Sequence, residues 1–426
     1  MGLREWSKVE KIESYLEKYK KGVRKMNNRT INLKCVTPLW TGDIDARSDK
    51  LQSSGIMGSL RWWTEAILRS LDMFACDPTS NDRCPKEQRI QNRRVNLYCP
   101  ACLIFGATGL RRLFRIEIDG GKKLFTGGPI NIKPSGRNRG WFLGSGIVGT
   151  VNLKIIPLDN DFDENLILLP LVIISKWAGL GAKTQLGYGV IEIEDSIDVN
   201  LEKFKQALEK IMKRLRKLGV ELRKENDTEL PSLSEMFFAK IQFKVSSNDW
   251  WKNVDGIRPD KSRNYKGYIN DPRMIAWINS GSVPIAPAIK NWLRFGGGRT
   301  LWESHNQNQD KKIENWLFGN TGREKQSSKI NISCAYKVNN NLWEFRIWGW
   351  IPKSNNPEGF NRERFLDNLR FLDNLKNALS GSGIIPWTEL LVWREFNSPR
   401  DTIKPNEKTG INSFIQSLIE NNGGSS

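Results

Sequence analysis

Three aspartates lie close together near the start of the chain: Asp43, Asp45 and Asp49. Clustered carboxylates can hold a divalent metal ion for phosphodiester cleavage. The other interpretation is a solvated polar loop with Asx turns, which the sequence favours. Because the chain has a single histidine, His305, it cannot form a two-histidine nuclease pair or a multi-histidine metal site. Any catalysis must therefore use carboxylates, lysines or that one histidine.

Four of the six cysteines fall in one segment. Cys99 and Cys102 have the C-x2-C spacing of a zinc knuckle, and Cys76 and Cys84 lie upstream with a looser spacing. A structural zinc ion, a disulfide and plain buried thiols all stay open for this set. We expect no cofactor, with structural zinc at the four cysteines as the alternative.

A glycine-rich segment runs from Gly179 to Gly189. It is not a nucleotide-type P-loop, because Ala182 and not a glycine precedes Lys183. Such a segment can bring backbone N–H groups close to a nucleic-acid backbone, with Lys183 supplying charge and Tyr188 a stacking face. The alternative is a connection that only needs glycine for positive φ angles. The predicted contact residues here are Gly179, Gly181, Lys183, Thr184, Gln185, Gly187 and Tyr188.

Basic residues recur on two predicted helices. Near Gly58, small residues would let an anion approach a helix N-terminus, and Arg61 and Arg69 would extend the positive surface. The alternative is that both arginines pair with Glu65 at i,i+4 spacing on a solvated face. In the second half, the predicted phosphate contacts are Lys290, Arg294 and Arg299, and no acid lies between Lys290 and Arg294.

The overall charge supports a polyanionic partner. The chain has 66 Lys and Arg against 47 Asp and Glu, a net charge of +19 in 426 residues. Its 38% apolar content and 17 tryptophans indicate a globular protein. The longest apolar run, Leu166 to Ile174, contains Pro170 and is far shorter than the ~20 residues of a membrane span. We expect a soluble, cytoplasmic protein that does not bind membranes.

The hydrophobic pattern predicts one β-α-β-β-α-β order twice. The first copy has strands at 30–36, 113–118, 147–156 and 187–194, with helices from 58 and at 163–177. The second has strands at 237–245, 330–336, 342–350 and 389–393, with helices at 285–295 and 360–379. A charged helix is predicted at 201–224. This α+β order is that of ferredoxin-like, RRM-like units.

Short sequence repeats support a duplication. Phe105-Gly106-Ala107-Thr108-Gly109 and Phe318-Gly319-Asn320-Thr321-Gly322 each follow a predicted helix. We therefore predict an N-terminal helix at 1–28, a first ferredoxin-like domain at 29–225 that includes helix 201–224, and a second at 226–426. The first carries a basic insertion with Arg83, Lys86, Arg89, Arg93 and Arg94.

An ordered set of motifs resembles the RAMP (repeat-associated mysterious protein) superfamily of CRISPR systems. From about residue 30, the chain is similar to the first-numbered subunits of type III-B Cmr complexes. The motifs are Pro38-Leu39-Trp40-Thr41-Gly42, Gly58-Ser59-Leu60-Arg61-Trp62-Trp63, Cys99 to Gly109, the glycine segment 179–189, and Val283 to Lys290.

The resemblance implies a non-catalytic subunit in antiviral defence that holds the 3′ region of crRNA, or the target RNA. Its partners would be other Cmr subunits and the large polymerase-like subunit. Related backbone subunits cleave target RNA with an aspartate after the first strand. Asp43 and Asp45 occupy a comparable loop, so the alternative function is a RAMP-type endoribonuclease. A second alternative is a protein-interaction scaffold without RNA contact. The second-half segment Gly381-Ser382-Gly383 lacks the lysine and tyrosine of the first.

Overall fold

The computed structural model describes residues 28–45, 47–90, 93–217, 220–224, 230–320, 322, 325–370, 384–405 and 407–420. The helix predicted at 1–28, except residue 28, and the glycine segment 381–383 lie outside these residues. No helix in the described part of the chain is long and apolar enough to cross a membrane.

The described residues form a mixed α+β structure. The strands are β1 (Arg29–Leu39), β2 (Lys86–Ile90), β3 (Arg93–Tyr98), β4 (Phe114–Lys123), β5 (Ile130–Ile132), β6 (Trp141–Leu143), β7 (Ile147–Pro157), β8 (Ile191–Ile193), β9 (Glu221–Leu222), β10 (Met236–Val245), β11 (Ser282–Val283), β12 (Ile330–Ile332), β13 (Ala335–Lys337), β14 (Leu342–Trp350) and β15 (Ile384–Glu395). The α-helices are α1 (Ser53–Ser70), α2 (Pro100–Phe105), α3 (Asn165–Trp177), α4 (Leu201–Lys217), α5 (Pro272–Asn279), α6 (Ala286–Phe295), α7 (Gln307–Phe318), α8 (Arg362–Arg370) and α9 (Ile411–Ile419).

The first-half sheet has the strand order β4-β7-β1-β8, and all neighbours are antiparallel. Its central strand β1 pairs with β7 from Arg29 opposite Ile155 onward. Alternate β1 residues Ile31, Leu33 and Cys35 are buried, as expected for a strand with one face on a core. The sequence predicted this strand, although it runs to Leu39.

The second-half sheet repeats that order. β12 and β13 both pair with β14, which pairs with β10, and β10 pairs with β15. If β12 and β13 count as one interrupted strand, the two orders are β4-β7-β1-β8 and β12/β13-β14-β10-β15. Numbered along the chain within each set, the strands then lie in the order second, third, first, fourth in both sheets. The second-half sheet has one further strand, β11, which pairs with β13.

Helix α1 shows how the spacing of apolar residues orients a helix on the core. Ile56, Leu60, Trp63 and Ile67 are buried and follow i, i+4, i+7, i+11 spacing, so they form one stripe facing the core. Trp63 also stacks on Phe238 of β10, with ring centroids 6.1 Å apart. The apolar stripe of the first half therefore contacts the second-half sheet.

Some predicted boundaries were wrong. The helix predicted at 201–224 ends at Lys217, and Glu221–Leu222 form β9, which pairs with β3 in parallel. The buried Arg223 guanidinium binds Asp82, which fixes this extended segment against the insertion. The closing strand predicted at 187–194 is only Ile191–Ile193, because residues 187–189 belong to the glycine segment.

Two hydrophobic cores fill the molecule, and each takes residues from both halves. The first joins β1, α1, α3 and α4 with α9 from the far end of the described chain. The second lies around β10 and β14 but includes Trp40, Leu143 and Tyr188 of the first half. No sequence pattern predicted α5, α7 or α9.

Candidate functional site

The glycine segment connects α3 to β8 and packs against the end of β1. Ala182 N–H donates to the Trp40 carbonyl at 2.8 Å, and Gly181 N–H donates to Ser59 Oγ of α1 at 3.1 Å. Gly181 has φ +85°, and a Cβ there would lie 2.6 Å from the Trp40 carbonyl oxygen. Close packing and positive φ therefore explain this glycine. The segment is held where β1, α1 and α3 meet.

Lys183 points from this segment over an aromatic ring. The residue has a left-handed φ of 55°, and its Nζ lies 3.8 Å from the centre of the Trp40 ring, a cation–π contact. Partial burial lowers the pKa of Lys183. Trp40 and Lys183 line a cleft of about 550 Å³, here called the Lys183 cleft. Its other lining residues are Arg47, Ser48, Asp49, Lys123, Gly127, Gly128, Pro129, Phe142, Gly144 and Ser145.

Three cations and one anion give the Lys183 cleft a positive wall. Arg47 is exposed, and Lys123 Nζ lies 2.5 Å from Asp49 Oδ1. The hydrogen bond from Lys123 lowers the pKa of Asp49. Phe142 adds a ring that is 59% exposed. Cations beside an exposed ring and a cation–π pair can bind phosphates and stack a base.

Residues behind the cleft fix its walls. Tyr188 is fully buried, its ring packs against Trp277 at 5.6 Å, and its hydroxyl donates to the Gly144 carbonyl at 2.6 Å. The predicted stacking role of Tyr188 does not fit this structure, because no ring face is open to a base. Arg273 of α5 donates to the Gly128 carbonyl at 2.9 Å, so the second half supports a first-half loop.

The other residues predicted in the glycine segment lie at the junction between the halves. Thr184 Oγ1 donates to Asn331 Oδ1 of β12 at 2.9 Å, and Gln185 is half-buried. Gly187 has φ +107°, and a Cβ there would lie 2.6 Å from Cys334 Sγ. Gly179 is buried beside Thr184. For these residues, the structure shows packing roles.

Arg61 and Arg69, the two arginines predicted to extend a positive surface on α1, bind groups of the protein itself. Arg61 Nε donates to Glu65 Oε1 at 2.8 Å, and Arg61 Nη1 donates to the Gly106 carbonyl at 3.2 Å. The Arg69 side chain is 8% exposed and donates twice to the Ala75 carbonyl. Burial raises the pKa of Glu65 to about 7 in spite of both guanidinium groups. The i,i+4 interpretation therefore describes these arginines, although the face they share is largely buried and not solvated.

Gly58 is the exception on this helix. It is exposed, and no atom lies within 4 Å of the position where its Cβ would be. The surface of α1 is therefore open at this residue. The hydroxyl of the neighbouring Ser59 receives the Gly181 N–H, which brings this turn of α1 next to the glycine segment.

The three cations predicted to contact RNA in the second half also lie in the core or beside acidic side chains of the protein. Lys290 is buried, and desolvation together with Arg294 lowers its pKa to about 7. Arg294 Nε donates to Glu314 Oε1 of α7 at 3.0 Å, and Arg299 lies 3.5 Å from Asp310 Oδ2. The phosphate contact predicted for Lys290 does not fit this structure, because the side chain is inside the core.

The aspartates after β1 form a turn. Asp43 Oδ1 accepts the backbone N–H groups of Asp45 at 3.0 Å and Arg47 at 2.8 Å, so the Asx-turn interpretation is confirmed. Asp49 faces Lys123 instead. Within the described residues, the group of His, Cys, Asp or Glu side chains close enough to share a metal ion contains cysteines, not these carboxylates.

Sequence reasoning missed several residues of the Lys183 cleft. Arg47, Lys123 and Phe142 come from three separate segments, and no spacing rule joins them. The available signal was local: Gly127-Gly128 and Phe142 flank a stretch that contains Arg137 and Arg139. Glycines and arginines around an aromatic residue are typical of single-strand binding segments.

Comparisons with known proteins agree with the sequence motifs. Residues 32–192 match the model of the RAMP superfamily, the family that the sequence motifs resemble. No curated protein matches the chain.

Two solved structures illustrate the similarity. Cmr1 from Pyrococcus furiosus in its apo form is 14% identical with a TM-score of 0.37, over 83% of this chain and 98% of that one. A chain of type III-B Cmr-beta bound to cognate target RNA is 10% identical with a TM-score of 0.34, over 82% and 98%.

Proposed function

We propose that this chain is a non-catalytic, RNA-binding subunit of a type III-B CRISPR effector, built from two tandem ferredoxin-like RAMP domains. The RAMP match of the first half and the motif set support the class, and the shared strand order supports the tandem arrangement. As the motifs imply, its partners would be crRNA or target RNA, other Cmr subunits and the large polymerase-like subunit.

The observation that carries the proposal is the Lys183 cleft. Lys183, Arg47 and Lys123 line it beside the exposed Phe142, and the glycine segment that carries Lys183 contacts α1 through Ser59. Such a site binds the backbone through charge and one base through stacking, and it leaves sequence recognition to base pairing. Single-stranded RNA is therefore the ligand that the chemistry fits.

The non-catalytic part of the proposal is supported by Asp43. Its carboxylate accepts two backbone N–H groups of its own turn, which is a structural use of the carboxylate. Incubation of labelled RNA with the purified protein tests the ribonuclease alternative. We expect intact RNA; cleavage that is lost in Asp43→Asn or Asp45→Asn would overturn this part. Asp43→Asn keeps the Oδ1 acceptor, so the turn should survive.

The binding test uses a triple variant, Arg47→Gln, Lys123→Gln and Lys183→Gln. Affinity falls as salt rises, so the slope of log affinity against log salt is negative. Each lost phosphate contact should make that slope shallower by about 0.7, and the triple variant should make it shallower by up to about 2. Fluorescence anisotropy with a labelled single strand across a salt series measures both affinity and slope.

Lys312→Gln is the matched control, because Lys312 is an exposed lysine of α7 that does not line the cleft. It should leave both values near those of the unmodified chain. If the triple variant behaves like this control, the Lys183 cleft is not the RNA site. If it keeps RNA affinity but no longer assembles with other subunits, the scaffold alternative is favoured.

A further inference from the structure

Four cysteine sulfurs converge inside the first half. Cys76, Cys84, Cys99 and Cys102 are all buried, and their Sγ atoms lie within 4.8 Å of one another. Three separate segments deliver them: the loop after α1, the turn before β2, and the junction of β3 with α2. Four buried thiols from three segments are more than a chance contact of apolar side chains.

The spacing of the sulfurs matches that around a tetrahedral metal ion. A tetrahedral zinc ion with Zn–S bonds of about 2.3 Å places its sulfurs about 3.8 Å apart. Here Cys76 Sγ lies 3.6 Å from Cys102 Sγ and 3.7 Å from Cys99 Sγ. All four cysteines are free thiols, and Cys76 is near more than one partner, which fits a shared ion better than paired disulfides.

Two hydrogen-bond donors lie next to the cluster sulfurs. The Cys99 backbone N–H donates to Cys84 Sγ at 3.2 Å, and Arg61 Nη2 donates to Cys102 Sγ at 3.1 Å. Four thiolates around one Zn²⁺ leave two negative charges, and a guanidinium beside them offsets part of that charge. Such outer hydrogen bonds orient the ligands of metal sites.

We propose that Cys76, Cys84, Cys99 and Cys102 bind one structural zinc ion and that Arg61 is a positioning residue for it. The ion links the loop after α1 to the hairpin formed by β2 and β3, whose Arg89 and Arg94 are exposed. This site is separate from the Lys183 cleft and does not depend on RNA binding.

Metal analysis of the full chain, purified without chelator, tests the proposal. We expect about one zinc per chain, near zero in Cys99→Ser/Cys102→Ser, and about one in the control Cys35→Ser, because Cys35 is buried in β1 outside the cluster. Cobalt(II) exchange should give the visible absorption of a tetrahedral thiolate site in the unmodified chain. A metal-free chain whose four thiols react freely or form disulfides would overturn the proposal.

Two single variants keep the proposal testable if the double variant does not fold. Cys84→His keeps a zinc ligand and should retain zinc with an altered cobalt spectrum. Arg61→Gln should keep the ion but lose it to a chelator about tenfold faster, since outer-shell changes cost 10- to 100-fold in affinity. Unchanged zinc release from Arg61→Gln would remove the positioning role. Unchanged RNA affinity would show that Arg61 acts on the metal site and not on RNA.

Discussion

The two halves share a strand order but treat their cations differently. In the first half, Lys183, Arg47 and Lys123 line an open cleft. In the second, Lys290 is in the core and Arg294 pairs with Glu314 of a neighbouring helix. The two halves therefore share a strand order but not their surface chemistry, because burial of Lys290 and the pairing of Arg294 with Glu314 direct these cations into the protein.

The largest expected effect concerns a cation that is entirely internal. Arg394 of β15 is fully buried and bonds to Asp401 Oδ2 at 3.0 Å and Ser417 Oγ at 2.7 Å. Arg394→Ala leaves a buried carboxylate without its partner and should cost about 3–5 kcal/mol of unfolding free energy. Urea unfolding measures it. Arg115→Ala, at an exposed pair with Glu117, is the control and should cost under about 1 kcal/mol.

Phe142→Ala tests the Lys183 cleft of the first half. Because the ring is 59% exposed, its loss should leave unfolding nearly unchanged. Base stacking contributes about 1–3 kcal/mol per base, so RNA affinity should fall about 5- to 150-fold. Anisotropy titration with single-stranded RNA measures this. Equal affinity for the variant and the unmodified chain would show that no base stacks there.

Lys290→Met tests the buried cation of the second half through the pH dependence of stability. Desolvation and Arg294 lower the pKa of Lys290 to about 7, whereas an unfolded lysine titrates near 10.4. Between these values the unfolded chain binds more protons, so stability should rise with pH, on the order of 1–2 kcal/mol from about pH 7 to about pH 9.

Denaturation at several pH values checks this expectation. Lys290→Met should abolish the part of the rise that comes from Lys290, and Lys312→Met, at an exposed lysine, should keep it. A pH profile that is the same for Lys290→Met and the unmodified chain would show that Lys290 is charged in the folded protein.

The smallest expected effect is at Arg299. This side chain is 39% exposed and lies 3.5 Å from both Glu303 and Asp310, so Arg299→Gln should cost under about 1 kcal/mol of stability. Its RNA affinity should change less than about twofold. A loss as large as that from the triple variant of the Lys183 cleft would mean that the second half also presents its cations to RNA.

Sequence patterns predicted the elements whose apolar residues repeat regularly. The helix predicted at 285–295 is Ala286–Phe295, and the strand predicted at 342–350 is confirmed. Both depend on local periodicity, which a single sequence shows directly. The four-cysteine set was also recognisable from the C-x2-C spacing, although only the structure shows that the upstream cysteines reach it.

Tertiary pairing explains what the sequence could not show. Nothing near Arg294 predicts Glu314, twenty positions away, and no local pattern places Phe142 beside Lys183. Tyr188 lies in a polar-looking segment, yet Trp277 of the other half covers it. These contacts depend on how the two sheets pack.

Helix α9 completes the first core from the far end of the described chain. Its Phe414, Ile415 and Leu418 are buried there, and the Leu418 carbonyl accepts the Trp177 indole N–H at 2.8 Å. During synthesis, the first half therefore emerges from the ribosome with an apolar groove that stays uncovered until residues 411–419 follow. A nascent chain of this design gains its full stability late, and until then the exposed groove favours aggregation.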